Sequence, residues 1–319
     1  MRNRPPPAPP TQAPGLVVAT HGRHVVVEDA LGARRICHAK GKKNLAVVGD
    51  RVHWTASADE GVVDAVLPRS NLFYRQDDVR TKSFAANIDQ LLIVLAADPE
   101  FSERQLARAL IAAEAAGIAP LIVLNKADLQ ARFATSWERL APYRDMGYQV
   151  MKLCLNAAEL TAQPQILGEL STLVAQMAQR RTLVLGPSGV GKSTLVNRLV
   201  PTAHALTNEV SKALNSGKHT TTSTLWYWTD ATKTTAVIDS PGFQEFGLHH
   251  IKPAQLAALM PDFRTHLGHC KYHNCTHLHE PGCGIISAVE NATIASKINK
   301  HRYHIYKDLH AELSAIKAW

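Results

Sequence analysis

The residues best suited to chemistry begin at Gly186-Pro187-Ser188-Gly189-Val190-Gly191-Lys192-Ser193-Thr194, directly after a strand-like run at 182–185. This is the spacing of a phosphate-binding loop. Its glycines let successive backbone N–H groups converge on phosphate oxygens, beside a helix amino terminus that favours anions. Lys192 is expected to reach the β- and γ-phosphates, and Ser193 to ligate Mg²⁺ through its hydroxyl. Upstream, Asn125-Lys126-Ala127-Asp128 follows the apolar run 120–124. A carboxylate only accepts, so Asp128 suits the N1–H and N2–H₂ donors of guanine; adenine offers no such pair and would leave it unmatched. Asn125 can bridge the base and the phosphate loop, and the Lys126 stem can cover a base face. Asp239-Ser240-Pro241-Gly242 closes another strand-like run at 234–238. Asp239 is placed to hold Mg²⁺ through water, and the Gly242 N–H to sense a γ-phosphate.

Gly217-Lys218-His219-Thr220-Thr221-Thr222-Ser223 lies in a polar stretch that a Mg²⁺-bound γ-phosphate could order, with Thr221 as the expected metal ligand. Many GTPases orient the attacking water with a Gln after Asp-x-x-Gly, but Phe243 stands there and cannot move a proton. His219 is the local candidate for that role. Lys192, Thr221 and His219 are therefore the expected catalytic set. A P-loop kinase or ATPase is disfavoured by Asp128, and a non-hydrolysing switch by Lys192, Asp239 and the threonines. The order of the elements is unusual, because Asn-Lys-x-Asp precedes the phosphate loop: the domain reads as circularly permuted.

A second cluster is Cys270-x4-Cys275-x-His277-x5-Cys283. Three thiolates and one imidazole suit a closed tetrahedral structural zinc site, with no open position for catalysis. His269, His273 and His279 compete on proximity for the imidazole role. Cys37 and Cys154 read as ordinary core or surface thiols.

These residues need a scaffold. Alternating apolar strands (90–96, 120–124, 149–155, 182–185, 234–238) and helices (102–116, with Ser102 and Gln105 as a capping box and Gly117 as the stop, and 136–146) predict a doubly wound α/β domain over 88–246. Short β-like runs at 16–19, 24–28, 35–38, 51–55 and 61–67 predict a small barrel over 16–70, with the OB-fold favoured over an SH3-like barrel. Residues 1–15 read as a proline-rich tail and 71–87 as a linker. After 246 helices dominate, around 253–259, 285–296 and 299–317, giving a helical zinc-binding region over 247–319. The fold class is thus multidomain α/β.

The chain has 319 residues and a net charge of +8, of which residues 1–80 carry +4 and 247–319 carry +3. Basic flanks around a near-neutral middle suit a polyanionic partner. Arg34, Arg35, Lys40, Lys42 and Lys43 in the barrel, and Lys297, Lys300, His301, Arg302 and Lys307 near the end, are the candidate RNA contacts. The sequence has no secretory signal or membrane span, so a cytoplasmic protein without a membrane partner is expected.

The permuted motif order, the preceding barrel and the following Cys/His cluster together resemble the RsgA (YjeQ/YloQ) family of ribosome-associated GTPases, from about residue 16 to the end. The resemblance implies a monomeric GTPase acting late in maturation of the 30S ribosomal subunit. It would contact 16S rRNA, hydrolyse GTP to GDP and phosphate under stimulation by the subunit, and couple hydrolysis to release. It also implies Cys270, Cys275, His277 and Cys283 as the ligands of one structural Zn²⁺, and His219, in a Gly-x-His-Thr-Thr segment, as the catalytic histidine. The neighbourhood of Asn156 lies where a further base-contacting loop belongs but lacks the usual Ser-Ala pair, and is left unassigned.

Overall fold

The structure, a computed structural model, describes residues 12–21, 24–39, 46–57, 60–78, 80–156, 164–203, 224–242, 246–291 and 298–315. The nucleotide motifs are carried on β8 (Gln90–Ala96), β9 (Ala119–Asn125), β10 (Gln149–Lys152), β11 (Arg181–Leu185) and β13 (Ala236–Asp239), all parallel in the order β10-β9-β8-β11-β13. β8 is buried at every position, as a strand covered on both faces requires. From β8 the chain winds outward to β9 and β10; β11 pairs with β13 on its other side. The crevice at the carboxyl ends of β8 and β11 is where such a sheet binds ligands. β12 (Leu225–Trp228), which the sequence reading did not separate from its polar surroundings, adds antiparallel to β13.

Helix α1 (Glu103–Ala116) starts where the Ser102 side chain accepts from the Gln105 N–H, and stops at Gly117, whose φ of 65° is left-handed. The single helix expected over 136–146 is two, α2 (Gln130–Arg139) and α3 (Ala141–Asp145). Pro142 in the first turn of α3 cannot donate to a continuing helix, so the chain breaks at Leu140. Helix α4 (Pro164–Met177) follows β10, and α5 (Lys192–Leu199) leaves the phosphate loop.

The barrel comprises β1 (Ala13–His21), β2 (His24–Glu28), β3 (Arg34–Ala39), β4 (Arg51–Ala56) and β5 (Gly61–Val66). The pairing β1-β2-β3-β5-β4 closes back through β1–β4, with β3–β5 parallel. This closed Greek-key path is OB-like. Val17, Val25, Val27, Val52, Trp54 and Val63 fill it. A single register pair between β1 and β12, Ala19 with Leu225, joins barrel and nucleotide sheet.

The expected linker, 71–87, is instead a hairpin of β6 (Leu72–Gln76) and β7 (Thr81–Ala86). Phe73 and Phe84 are buried and pack against each other, while the exposed Asp77, Asp78, Arg80 and Lys82 give the stretch its polar look. Its base is bolted to the barrel. Ala86 N–H donates to Val48 O, Asn87 Nδ2 to Gly49 O, and Asp50, fully buried, takes a two-armed pair from Arg69.

Beyond Phe246 come α6 (Pro253–Leu256) and the 3₁₀ turn Ala257–Leu259, then α7 (Pro261–Leu267), α8 (Gly284–Glu290) and α9 (Lys300–Ala315). Helix α9 lies along the nucleotide domain. Arg104 and Arg108 of α1 pair with Glu312, and Arg302 sits over the Tyr143 ring while its guanidinium pairs with Asp262. One of the expected RNA contacts is therefore internal: Arg302 is 3% exposed, whereas His301 stays exposed with its ring nitrogen 3.4 Å from Glu103. The position of Arg302 on the inward side of α9 decides this, which a count of basic residues does not reveal. Among the described residues no helix is long and apolar enough to cross a membrane.

Candidate functional site

The phosphate loop joins β11 to α5. Gly189 and Gly191 have φ of 80° and 100°, in the left-handed region that a side chain resists. Gly191 is needed for space as well, since a Cβ there would stand 2.4 Å from Asn125 Nδ2. That contact marks the meeting of the two motifs. Asn125, at the end of β9 and 2% exposed, donates from Nδ2 to Val190 O at 2.8 Å. The Asn-Lys-x-Asp turn is thereby tied to the glycine loop. Asn125 Oδ1 is buried without a hydrogen-bond partner among the described residues, which leaves an acceptor for an incoming donor.

Lys192 is buried, and its Nζ donates to Pro187 O at 2.6 Å. Burial pushes its ammonium below the ordinary lysine range, while Asp239 pulls the other way. Asp239, at the end of β13, is driven up to about 6 by burial, against the opposing charge of Lys192 and the Ser240 N–H. A buried cation and a buried carboxylate, each with its charged form disfavoured, await counter-charges. Phosphate oxygens would suit the first. A hard divalent cation would suit the second, with the exposed Ser193 hydroxyl on the first turn of α5 as a further oxygen donor. Thr194 is exposed beside it. Ser240 Oγ donates to Val184 O at 2.6 Å, pinning the following turn to β11. Gly242 then approaches the loop so closely that a Cβ would be 3.2 Å from Lys192 Nζ and 3.4 Å from Ser188 N.

Lys126 turns the chain with φ of 67°, and Ala127 and Asp128 open a 3₁₀ turn. Both Asp128 oxygens are braced. Cys154 Sγ donates to Oδ1 at 3.3 Å and Asn156 Nδ2 to Oδ2 at 3.2 Å. Cys154, expected to be an ordinary thiol, is buried at the carboxyl end of β10, and burial raises its thiol above the usual range, so it keeps its proton and donates. A carboxylate has about four lone-pair sites, so two remain for a base. The available signal was positional: residues 153–156 follow the strand that pairs with β9, at the same sheet end as Asn125.

His219, Thr221 and Phe243 lie outside the described residues, as do Lys40, Lys42, Lys43 and Lys297. Of the other barrel candidates, Arg34 pairs with Glu28, and Arg35 donates to Ser57 O. Lys300 and Lys307 are exposed on α9.

Cys270, Cys275, His277 and Cys283 converge, their ligand atoms all within 4.8 Å of one another. Sγ of Cys270 and Sγ of Cys283 are 3.9 Å apart, and lie 3.5 and 3.4 Å from His277 Nδ1. A tetrahedral centre with Zn–S of about 2.3 Å and Zn–N of about 2.0 Å places sulfurs about 3.8 Å apart and sulfur–nitrogen pairs about 3.5 Å apart, so the donor set fits zinc. The loop is shaped for it. The Glu280 carboxylate accepts from Thr276 N–H, Thr276 Oγ and Leu278 N–H, while Tyr303 and Tyr306 donate from α9 to His277 O and Thr276 O.

The RsgA GTPase family model matches residues 66–249. The chain belongs to the RsgA family. It is 60% identical over 300 residues to the "Small ribosomal subunit biogenesis GTPase RsgA" of Variovorax paradoxus (strain S110), covering 94% of this chain and 92% of that one. It is 49% identical over 307 residues to the protein of the same name from Burkholderia pseudomallei (strain K96243), covering 96% and 94%. Two solved structures share the fold. One is YloQ, described as a circularly permuted GTPase, with TM-score 0.68, 26% identity and 97% of each chain covered. The other is YjeQ from Thermotoga maritima, with TM-score 0.69, 29% identity and 96% of this chain and 100% of that one covered. The RsgA family model reaches back over the hairpin 72–86 and forward to His249, beyond the nucleotide motifs.

Proposed function

We propose that this chain is a GTPase that binds the 30S ribosomal subunit and assists its late maturation in the cytoplasm, with hydrolysis stimulated by the subunit and coupled to release. The observation that carries the guanine-nucleotide part is the 2.8 Å bond from Asn125 to Val190 O, which merges base loop and phosphate loop into one crevice. The names of its RsgA relatives supply the ribosomal part.

In this reading Asp128 receives the guanine N1–H and N2–H₂, oriented by Cys154 and Asn156. Lys192 exchanges Pro187 O for β- and γ-phosphate oxygens, and residues 186–194 present their N–H groups to the phosphates. Ser193, Thr221 and Asp239 would hold Mg²⁺, which would supply neutralisation of phosphate charge. His219 positions the attacking water. The partner orders the switch, so intrinsic turnover is slow and the stimulated rate higher by up to ~10³–10⁵. Cys270, Cys275, His277 and Cys283 hold one structural Zn²⁺. Residues 16–70, 88–246 and 247–319 act as barrel, GTPase and zinc units of a monomer. The two flanking units grip 16S rRNA, and γ-phosphate state sets the angle between them.

Turnover of GTP measured with and without purified 30S subunits tests the proposal. Stimulation by the subunit, lost in His219→Ala while GTP binding persists, is expected; equal turnover in the presence and absence of subunits would contradict it.

A further inference from the structure

The segment leaving the Asp239–Gly242 turn is clasped on two sides. Phe246, 2% exposed, stacks on Phe84 and contacts Phe73 of the hairpin, with ring centroids 6.0 and 5.6 Å away. Gln76 N–H donates to Gly247 O, His249 N–H donates to Gln76 O, and Leu248 forms a parallel bridge with Gln76. His249 Nδ1 pairs with Asp78, and the His250 ring lies 4.3 Å from that of Tyr74. The segment is in effect a third strand laid on β6.

The other side of the clasp is one side chain. Arg108, on α1 and 11% exposed, donates from Nη1 to Phe246 O at 3.1 Å and from Nη2 to Glu312 of α9. One planar fork thus spans the switch exit and the carboxy-terminal helix. Burial works to raise the Glu312 carboxyl, but hydrogen bonds and charge from Arg108 and Arg104 prevail and hold it below the usual range, so the pair is charged. A cavity of about 390 Å³ opens at this joint, lined in part by Asp78, Arg104, Phe246 and Glu312, and gives the guanidinium room to change partners.

We propose that Arg108 is the positioning residue through which the exit of the nucleotide switch sets the seat of the carboxy-terminal helix. The inference rests on the GTPase reading above and assigns the joint through which that reading would act. A shift of the Asp239–Gly242 turn toward a γ-phosphate pulls on Phe246. The hairpin resists, and the Phe246 carbonyl moves relative to Arg108. The Nη2 contact with Glu312 is then made or broken with it.

The test compares amide hydrogen exchange across 300–315 in the full-length protein bound to GDP and to a non-hydrolysable GTP analogue. Charge-assisted bonds of this kind support a protection difference of about tenfold in the unaltered chain. In Arg108→Gln, Arg108→Lys and Glu312→Gln the difference should shrink to within about twofold, with nucleotide affinity unchanged in the same samples. Lysine keeps the charge but not the fork, so its failure to rescue separates geometry from charge. Glu312→Gln, at a side chain 29% exposed, serves where Arg108→Gln does not fold. Retention of the full difference in the variants, or its absence from the unaltered chain, would overturn the proposal. No guanine-nucleotide binding by the unaltered chain would overturn both this inference and the GTPase reading.

Discussion

Asp128 is a carboxylate held in place by its neighbours, as the proposed base contact requires. Two neutral donors, the Cys154 thiol and the Asn156 amide, fix its plane without neutralising it. Cys154→Ala removes one brace and should weaken GDP binding by roughly 1 kcal/mol, about fivefold, with maximal turnover little changed; Cys154→Ser should restore it. Titration with a fluorescent guanine nucleotide checks both variants, and equal affinity in alanine and serine forms would assign Cys154 to packing alone. Gly191 is constrained twice, by its positive φ and by Asn125 at 2.4 Å from a Cβ. Gly191→Ala should therefore lose nucleotide binding by at least about tenfold in a protein that still melts cooperatively.

At the scale of elements, the strands carrying chemistry were legible because parallel buried strands are uninterrupted apolar runs, and 90–96 and 120–124 have no rival reading. The same logic failed for 72–86. A two-stranded hairpin needs only a few inward side chains, and Phe73 and Phe84 sit among charges that suggest a solvated connector. Of the candidate site, Asn125, Asp128 and Lys192 were nominated by spacing, because the proposed chemistry demands those residue types. Cys154 was not, because a thiol serving as a donor looks like any core cysteine until its neighbour is known. The loop of Cys270, Cys275, His277 and Cys283 is an element that bound zinc would hold together. Chelation, or Cys283→Ser, should release the Tyr303 and Tyr306 contacts and lower the melting temperature by several degrees, while GDP affinity in the distant crevice stays within about twofold. Metal analysis with a thermal melt checks this, and an unchanged melt after complete zinc loss would deny the site a structural role.

Across the whole molecule, ion pairs seat the carboxy-terminal helices on the nucleotide domain. Arg302 is buried with Asp262 as its carboxylate partner, so Asp262→Ala strands a desolvated guanidinium and should cost about 3–5 kcal/mol in denaturant unfolding. Glu312, Asp89 and Glu28 all titrate below the ordinary carboxylate range, in each case because arginine or lysine hydrogen bonds outweigh burial. A depressed folded-state pKa contributes stability that is present above the unfolded value and lost as pH falls through the folded one. The melting temperature should therefore hold above about pH 5 and decline progressively below about pH 4, with the decline blunted in Glu312→Gln. The hairpin and Arg108 join the barrel and the carboxy-terminal helix to the segment that follows the Asp239–Gly242 turn.

On the proposed reading, the turn after β9 and the glycine loop after β11 enclose one guanine nucleotide. Calorimetric titration of the magnesium-loaded protein with GDP, IDP and ADP tests it most directly. GDP should be taken up tightly, IDP more weakly by about tenfold or more for want of the 2-amino donor, and ADP not measurably. Equal affinity for all three would contradict it.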